Sequence, residues 1–326
     1  MSLATNDRIS ALKNVNVQVP ASDFTLPFMI SPKGGEDLVK WAINHQNLLF
    51  DLLIEHGAIL FRGMKIGSAS AFDELFSKLC GGSIEYINRT SPRDKVVNNV
   101  YTSTTYPKEH PIHMHTENSY SPEFNRIIGF FCLKPPMKGG ETPIAEERLL
   151  LKELPAETVS KFRDKKILYV RNLVDGIGID WQTAYQTSDR NEVNRRLESS
   201  NISYEWISED HLRTKWVLPA VINHPITGEE VWFNHMYFYH KSLYDPSILE
   251  YFEDEDLPFS SYYGDGSKIE DEVINAIRQF YQRYSIVFKW EKDDFLLIDN
   301  LIFSHGRNPF EGERMILTAM SDLLTY

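Results

Sequence analysis

A chain of 326 residues with 42% hydrophobic and 25% charged side chains has the composition of a globular protein, which excludes disordered and fibrous classes. Its 34 Lys+Arg against 46 Asp+Glu leave a formal charge of −12, which opposes adhesion to nucleic acid or anionic lipid and argues against both as partners. Cys80 and Cys132 are too few for a disulfide framework or a multi-thiolate zinc site. The opening MSLATNDRISALKNVNVQ lacks the apolar core of a signal peptide, and no apolar run approaches the ~20 residues that span a bilayer, so a cytoplasmic protein is expected.

In chain order, Glu36 to His56 carries Leu38, Trp41, Ala42, Leu48, Leu49, Leu52 and Leu53 at helical spacing, predicting one amphipathic helix ended by Gly57. A short buried strand follows at Ala58–Arg62, then a helix at Ala71–Leu79. Ile127 to Leu133 is β-branched and aromatic without helical period; it reads as a strand stopped by Pro135-Pro136 and Gly139-Gly140. Further strands are expected at Lys166–Val170, Val231–Phe233, Ile286–Trp290, Phe295–Ile298 and Met315–Met320, and helices at Pro155–Asp164, Asn191–Ser199 and Asp271–Tyr284. The charged stretch Tyr251–Asp256 reads as a solvated loop, and the polar segment Asp175–Ser208 as a lid that orders over a site. No boundary or repeat divides the chain, so residues 1–326 are expected to form one domain: mainly β, a sandwich or jelly roll, with helices concentrated toward the N-terminus.

Three segments carry chemistry. In Pro111-Ile-His-Met-His-Thr-Glu-Asn-Ser-Tyr120, alternate residues of an extended strand point the same way, so His115 and Glu117 can reach one ion. A second imidazole from elsewhere would complete two nitrogens and a carboxylate oxygen on one face of an octahedron, the set suited to iron(II) with open positions. His113 shares the parity of His115, so a His-x-His pair is the competing arrangement. The second segment, Asp299-Asn-Leu-Ile-Phe-Ser-His305-Gly-Arg-Asn-Pro-Phe-Glu-Gly-Glu-Arg314, offers an imidazole just after a strand, unobstructed beside Gly306, and a cation at Arg314 able to clamp a carboxylate with two parallel hydrogen bonds. In the third, Lys134 to Ile144, Gly139 and Gly140 would bring backbone close to a ligand while Thr142 offers a hydroxyl to an anion.

HTENSY, FFCLKPPMKGGETPI and HGRNPFEGERMIL, in that order with GAILFRG, Tyr101–Ser103, Trp181-Gln182 and HPITGEEVWFN, resemble the taurine dioxygenase and clavaminate synthase superfamily of iron(II)/2-oxoglutarate oxygenases. Within it they are most similar to the branch containing the aspartyl β-hydroxylases of nonribosomal peptide assembly. The resemblance implies a double-stranded β-helix, a jelly-roll core with flanking helices. It matches His115, Glu117 and His305 to the iron ligands, Thr142 to the residue assisting the co-substrate carboxylate, and Arg314 to its salt-bridge partner. Iron(II), 2-oxoglutarate and O2 are then the cofactors, and the co-substrate leaves as succinate and carbon dioxide while a substrate C–H bond is oxidised. Halogenases related to this superfamily lack the carboxylate present here as Glu117, so hydroxylation is expected over halogenation. Sulfonate-oxidising relatives carry an extra arginine where this chain has Thr318, which disfavours a sulfonate.

For the substrate, Asn118, Ser119 and Tyr120 follow the ligands, and Trp232, Phe233 and Asn234 resemble a pocket-lining segment of this branch, with Arg171 and Arg213 as further candidate carboxylate partners. The expected reaction is hydroxylation of an unactivated carbon in an amino acid or amino-acid-derived small molecule, free or tethered to a carrier protein, in specialised metabolism such as antibiotic biosynthesis. Epoxidation or oxidation of another small carboxylic acid or amide uses the same ligands. A metal-binding jelly-roll sensor without turnover would not need the Arg314–Thr142 clamp, and zinc hydrolysis lacks its His-Glu-x-x-His helix.

Overall fold

The computed structural model describes residues 8–20, 26–85, 94–103, 106–176 and 178–326; Met1–Asp7 of the opening segment and Ile177 of the expected lid lie outside them. The fold is mainly β with flanking helices around a jelly-roll core. An eight-stranded sheet runs in the order Val15–Gln18, Phe28–Pro32, Ala58–Phe61, Phe295–Asp299, Glu123–Lys134, Met315–Thr325, Val100–Thr102, Lys95–Val97. A smaller sheet of Ile112–His115, Phe303–Arg307 and Ile144–Glu146 carries the candidate metal ligands. A four-stranded sheet joins Ser203–Trp206, Leu212–Leu218, Ile167–Leu173 and Phe259–Tyr263.

The central strands of the large sheet are buried on both faces, which is why their sequences are continuously apolar. Ile127, Phe131, Phe295 and Leu297 face the helices Leu38–Asn44, Gln46–His56 and Ala69–Cys80, sharing one core with Trp41, Leu49, Leu53, Phe72 and Phe76. Their alternates Ile128, Phe130, Leu296 and Ile298 face the jelly-roll interior with Phe288 and Trp290. Gly129 makes the outer contact possible: a Cβ there would lie 2.7 Å from the Phe76 ring and 3.0 Å from Phe295. Gly129→Ala should therefore lower stability by about 1–3 kcal/mol, read from the denaturant midpoint, because a packed core accepts an extra methyl only by displacing its neighbours.

Several expectations change. The single helix Glu36–His56 is two, broken at His45, which leaves the helical region (φ −114°, ψ 20°) and returns its Nδ1 to the Trp41 carbonyl at 2.7 Å. Ile286–Trp290 forms no ladder beyond one bridge from Ile286 to Ile144. Its alternation is genuine all the same, since Ile286, Phe288 and Trp290 are buried while Val287 is exposed. The helices expected at Pro155–Asp164 and Asp271–Tyr284 are present as Ala156–Lys165 and Asp271–Tyr284, and an unexpected one, Glu147–Glu153, packs with them against the smaller sheets. Within the expected lid, Trp181, Ala184, Tyr185, Val193 and Leu197 build a small core with Leu173 and Leu212, while Gly178 lines the cavity described below. Tyr251–Asp256 is a solvent-facing segment as expected, and its carboxylates are paired: Asp254 takes Lys241 and Lys268, and Asp256 takes Arg213 at 2.7 Å. No helix among the described residues is long and apolar enough to cross a membrane.

Candidate metal and 2-oxo acid site

His115 ends one strand and His305 sits within its antiparallel neighbour, the two being direct partners in the ladder. His305 is thus not placed after a strand, as its sequence suggests, but inside one. Gly306 serves that pairing: a Cβ there would come 2.7 Å from the Ile112 carbonyl oxygen. Glu117 follows in the turn, and one donor atom each from His115, Glu117 and His305 lie within 4.8 Å of one another. His305 Nε2 stands 3.7 Å from Glu117 Oε2. His115 Nδ1 lies 2.8 Å from the His113 carbonyl, an acceptor, so Nδ1 carries the hydrogen and Nε2 is left as the ligand atom. His113 contributes that carbonyl and no donor to the cluster, which removes the His-x-His arrangement.

Burial, and after it the charge of His305, holds the His115 pKa well below the ordinary imidazole value, favouring the neutral form that binds metal. The turn carrying Glu117 is held by Asn300, whose amide accepts from the Glu117 N–H at 2.8 Å and donates to the Glu117 and Asn125 carbonyls at 2.9 and 2.8 Å. The next residue, Asn118, takes a left-handed conformation (φ 58°) that turns the chain sharply after the ligand.

Arg314 lies beside this cluster in the same cavity. Its Nε donates to the Gly140 carbonyl at 2.9 Å, Nη1 to Ser103 Oγ at 3.2 Å and Nη2 to Thr142 Oγ1 at 3.2 Å. None of the ion pairs among the described residues gives it a carboxylate, and burial, then the neighbouring Arg307 charge, pushes its pKa down to about 9. Thr142 Oγ1 accepts from both Arg314 and Trp290 Nε1 (3.1 Å), so its own hydrogen is left to donate. Gly139 and Gly140 (φ 68° and 69°) do approach something closely, but it is protein: a Cβ on Gly139 would meet the Pro309 oxygen at 2.2 Å, and one on Gly140 the Phe310 Cβ at 2.9 Å.

The cavity holding these groups measures about 700 Å³, within the range of small-molecule sites. It is lined by the three candidate ligands, Ser103, Thr142 and Arg314, by apolar Phe130, Phe238, Leu243, Ile248 and Phe259, and by His110, His235, Asp245 and Arg307 among others. Of the expected substrate residues, Asn118, Ser119, Tyr120, Trp232 and Asn234 do not line it. Trp232 packs edge-on against Phe162, Asn234 bonds the Ala220 carbonyl, and Ser119 and Tyr120 brace the ligand turn through Thr116 and Asn118. They are scaffold because their polar atoms are spent on backbone and on each other. Arg213 is likewise paired, with Asp256, and Arg171 lies against Phe259. Sequence reasoning missed Asn300, His235, Ser103 and Arg307 as site residues; Asn300, Arg307 and Ser103 stood in segments already singled out, His235 did not.

Two imidazole nitrogens and a carboxylate with space beside them fit iron(II), and a buried guanidinium with no carboxylate partner among the described residues, flanked by a hydroxyl able to donate, fits the far end of a 2-oxo diacid. Comparison with known proteins points to the same family. It is 37% identical over 276 residues to the dapdiamide synthesis protein DdaC of Enterobacter agglomerans, covering 83% of this chain and 84% of that one. It is 27% identical over 315 residues to a clavaminate synthase-like protein of Arabidopsis thaliana, covering 93% and 92%. The PvcB protein of Pseudomonas aeruginosa shares the fold, with a TM-score of 0.57 over 95% of this chain and 92% of its own at 14% identity. Residues 23–320 match the family described as taurine catabolism dioxygenase TauD, TfdA, and the chain belongs to that family as an iron(II)- and 2-oxoglutarate-dependent dioxygenase.

Proposed function

We propose that His115, Glu117 and His305 hold the iron, that Arg314 and Thr142 take the far carboxylate of 2-oxoglutarate, and that the enzyme hydroxylates an unactivated carbon of an amino acid or amino-acid-derived substrate. The observation that carries the site assignment is the pairing of a three-donor cluster with a buried guanidinium that has no carboxylate of its own among the described residues. The similarity to a protein of dapdiamide synthesis supports a place in specialised metabolism, with the substrate free or presented on a carrier. We read residues 1–326 as one oxygenase domain working in the cytoplasm, in keeping with Cys80 and Cys132 both being free thiols.

When bound, iron and 2-oxoglutarate supply the oxidising power for cleaving a C–H bond. The chain supplies the rest. His115 is held as a neutral ligand by the His113 carbonyl, and Asn300 fixes the backbone that aims Glu117. Arg314 and Thr142 orient the co-substrate by its remote end, so that its 2-oxo acid end faces the donor cluster. Phe130, Phe238 and Phe259 exclude water from the reacting carbon. Retention of the carboxylate at Glu117 leaves no ligand gap for a halide, which favours hydroxylation.

Anaerobic titration of the iron(II)-loaded protein with 2-oxoglutarate tests the site. A visible charge-transfer band is expected in the wild type and should vanish in His115→Ala. Absence of any band in the wild type at saturating iron and 2-oxoglutarate would sink the assignment.

A further inference from the structure

We propose that His235 is a specificity-determining residue whose Nε2 accepts a hydrogen bond from an N–H group of the primary substrate, next to the carbon that is oxidised. The proposal rests on the amino-acid-derived substrate class proposed above.

The tautomer follows from the neighbours of Nδ1. It lies 3.1 Å from the Thr116 carbonyl oxygen, which can only accept. It also lies 3.2 Å from Ser119 Oγ, whose own hydrogen goes to that same carbonyl at 3.0 Å while it receives the Thr116 hydroxyl at 2.8 Å. Both neighbours need a donor, so Nδ1 bears the hydrogen and the lone pair is on Nε2. The ring cannot swing to relieve this. His235 is 3% exposed, its backbone N–H is tied to Tyr169 Oη at 2.8 Å, and the rings of Tyr120, Phe238 and Tyr239 enclose it at 5.0, 4.9 and 4.9 Å.

Nε2 has no hydrogen-bond partner among the described residues, although the residue is buried and its ring forms part of the cavity wall. Nε2 is not among the buried atoms left without a partner, so it opens on the cavity rather than being sealed in the packing. It is not a fourth metal donor either, because it lies outside the three-residue cluster, its ring centre 5.5 Å from that of His115. The co-substrate cannot satisfy it: 2-oxoglutarate presents only acceptor oxygens at neutral pH, which repel a lone pair. A donor in the cavity satisfies it, water in the free enzyme and a substrate N–H in the complex, beside the candidate ligand His115.

The rest of the cavity agrees. Ser103, Thr142 and Arg314 offer donors and suit the diacid, whereas Asp245, the one carboxylate besides Glu117 among the described lining residues, caps Ser247 through Oδ1 and leaves Oδ2 as a second acceptor alongside apolar Leu243 and Ile248. A substrate with N–H groups and an aliphatic body matches that mixture.

The test uses the full-length iron(II)·2-oxoglutarate protein under argon, with the proteinogenic amino acids and their primary amides as probes. Binding is read from the shift each probe causes in the visible band. His235→Leu removes the acceptor; His235→Gln keeps one. The 2-oxoglutarate titration should be the same in all three proteins, which also reports that the variants are folded. For the best wild-type probe, His235→Leu should weaken binding roughly 10- to 100-fold, and His235→Gln should stay within about fivefold of wild type. Equal binding by His235→Leu and wild type, no rescue by glutamine, or no response of the wild type to any N–H-bearing probe would overturn the proposal. A missing 2-oxoglutarate band in the wild type would instead strike at the cofactor assignment itself.

Discussion

Arg314→Leu should leave iron binding unchanged and raise the 2-oxoglutarate concentration for half-saturation roughly 100-fold or more, because truncating one partner of a buried charge pair costs about 2–5 kcal/mol. Three of the guanidinium's donors are held by Gly140, Ser103 and Thr142, so it is fixed before any anion arrives. Burial pushes its pKa down to about 9, the mark of a cation kept without a counter-charge; an arriving carboxylate reverses the sign and stabilises the charged form. At neutral pH the group is therefore charged with or without co-substrate, and the affinity comes from anion pairing rather than proton uptake. Arg314→Lys keeps the charge but not the planar fork and should fall between the two. The anaerobic visible titration measures all three, and an unchanged half-saturation in Arg314→Leu would remove this residue from the co-substrate site.

Arg126→Met should cost about 3–5 kcal/mol of unfolding free energy, since removing one partner of a buried ion pair strands the other charge. Asp299 is fully buried and receives Arg126 Nη1 at 2.9 Å and His224 Nε2 at 3.1 Å, while Arg126 also reaches Asp322 at 2.5 Å. Solvent screening is slight here, the Arg126 side chain being 8% exposed and that of Asp299 0%. The damage should also spread to metal affinity, because the next residue along the chain is Asn300, which fixes the Glu117 turn. Urea unfolding of wild type and variant, each with and without iron(II), separates the two effects. A loss below about 1 kcal/mol would mean that His224 and the Leu301 N–H together compensate Asp299.

How much of this was legible in the sequence depends on the range of the interaction concerned. His115 and Glu117 stood out because they are neighbours in sequence, although the strand ends at His115 and a turn, not strand parity, brings Glu117 beside it; Arg314 stood out as an arginine opening an apolar strand. The helix Asp271–Tyr284 was readable to the residue, its apolar face repeating at the helical period. His235 was not, for it stands in an aromatic run whose packing hides the single nitrogen turned to the cavity. Trp232 and Asn234 were misjudged for the converse reason: aromatic and amide side chains suit a pocket wall and a packed scaffold equally, and only the Phe162 ring and Ala220 carbonyl decide which they form. The break at His45 escaped because apolar spacing continues through it unchanged, whereas Ile286–Trp290 showed the alternation of a strand without revealing that a ladder partner was missing beyond Ile144.

The order of strands in the large sheet also bears on how the molecule comes into being. Phe295–Asp299 lies between Ala58–Phe61 and Glu123–Lys134, and Met315–Thr325 between Glu123–Lys134 and Val100–Thr102. As the chain leaves the ribosome, the early strands have nothing to pair with at the centre of their own sheet, and their apolar faces wait through most of synthesis. Such long-range closure is slow and exposes sticky edges to neighbouring chains. His305 arrives in the same late stretch, so the nascent protein has no complete metal site until the sheet around it can close.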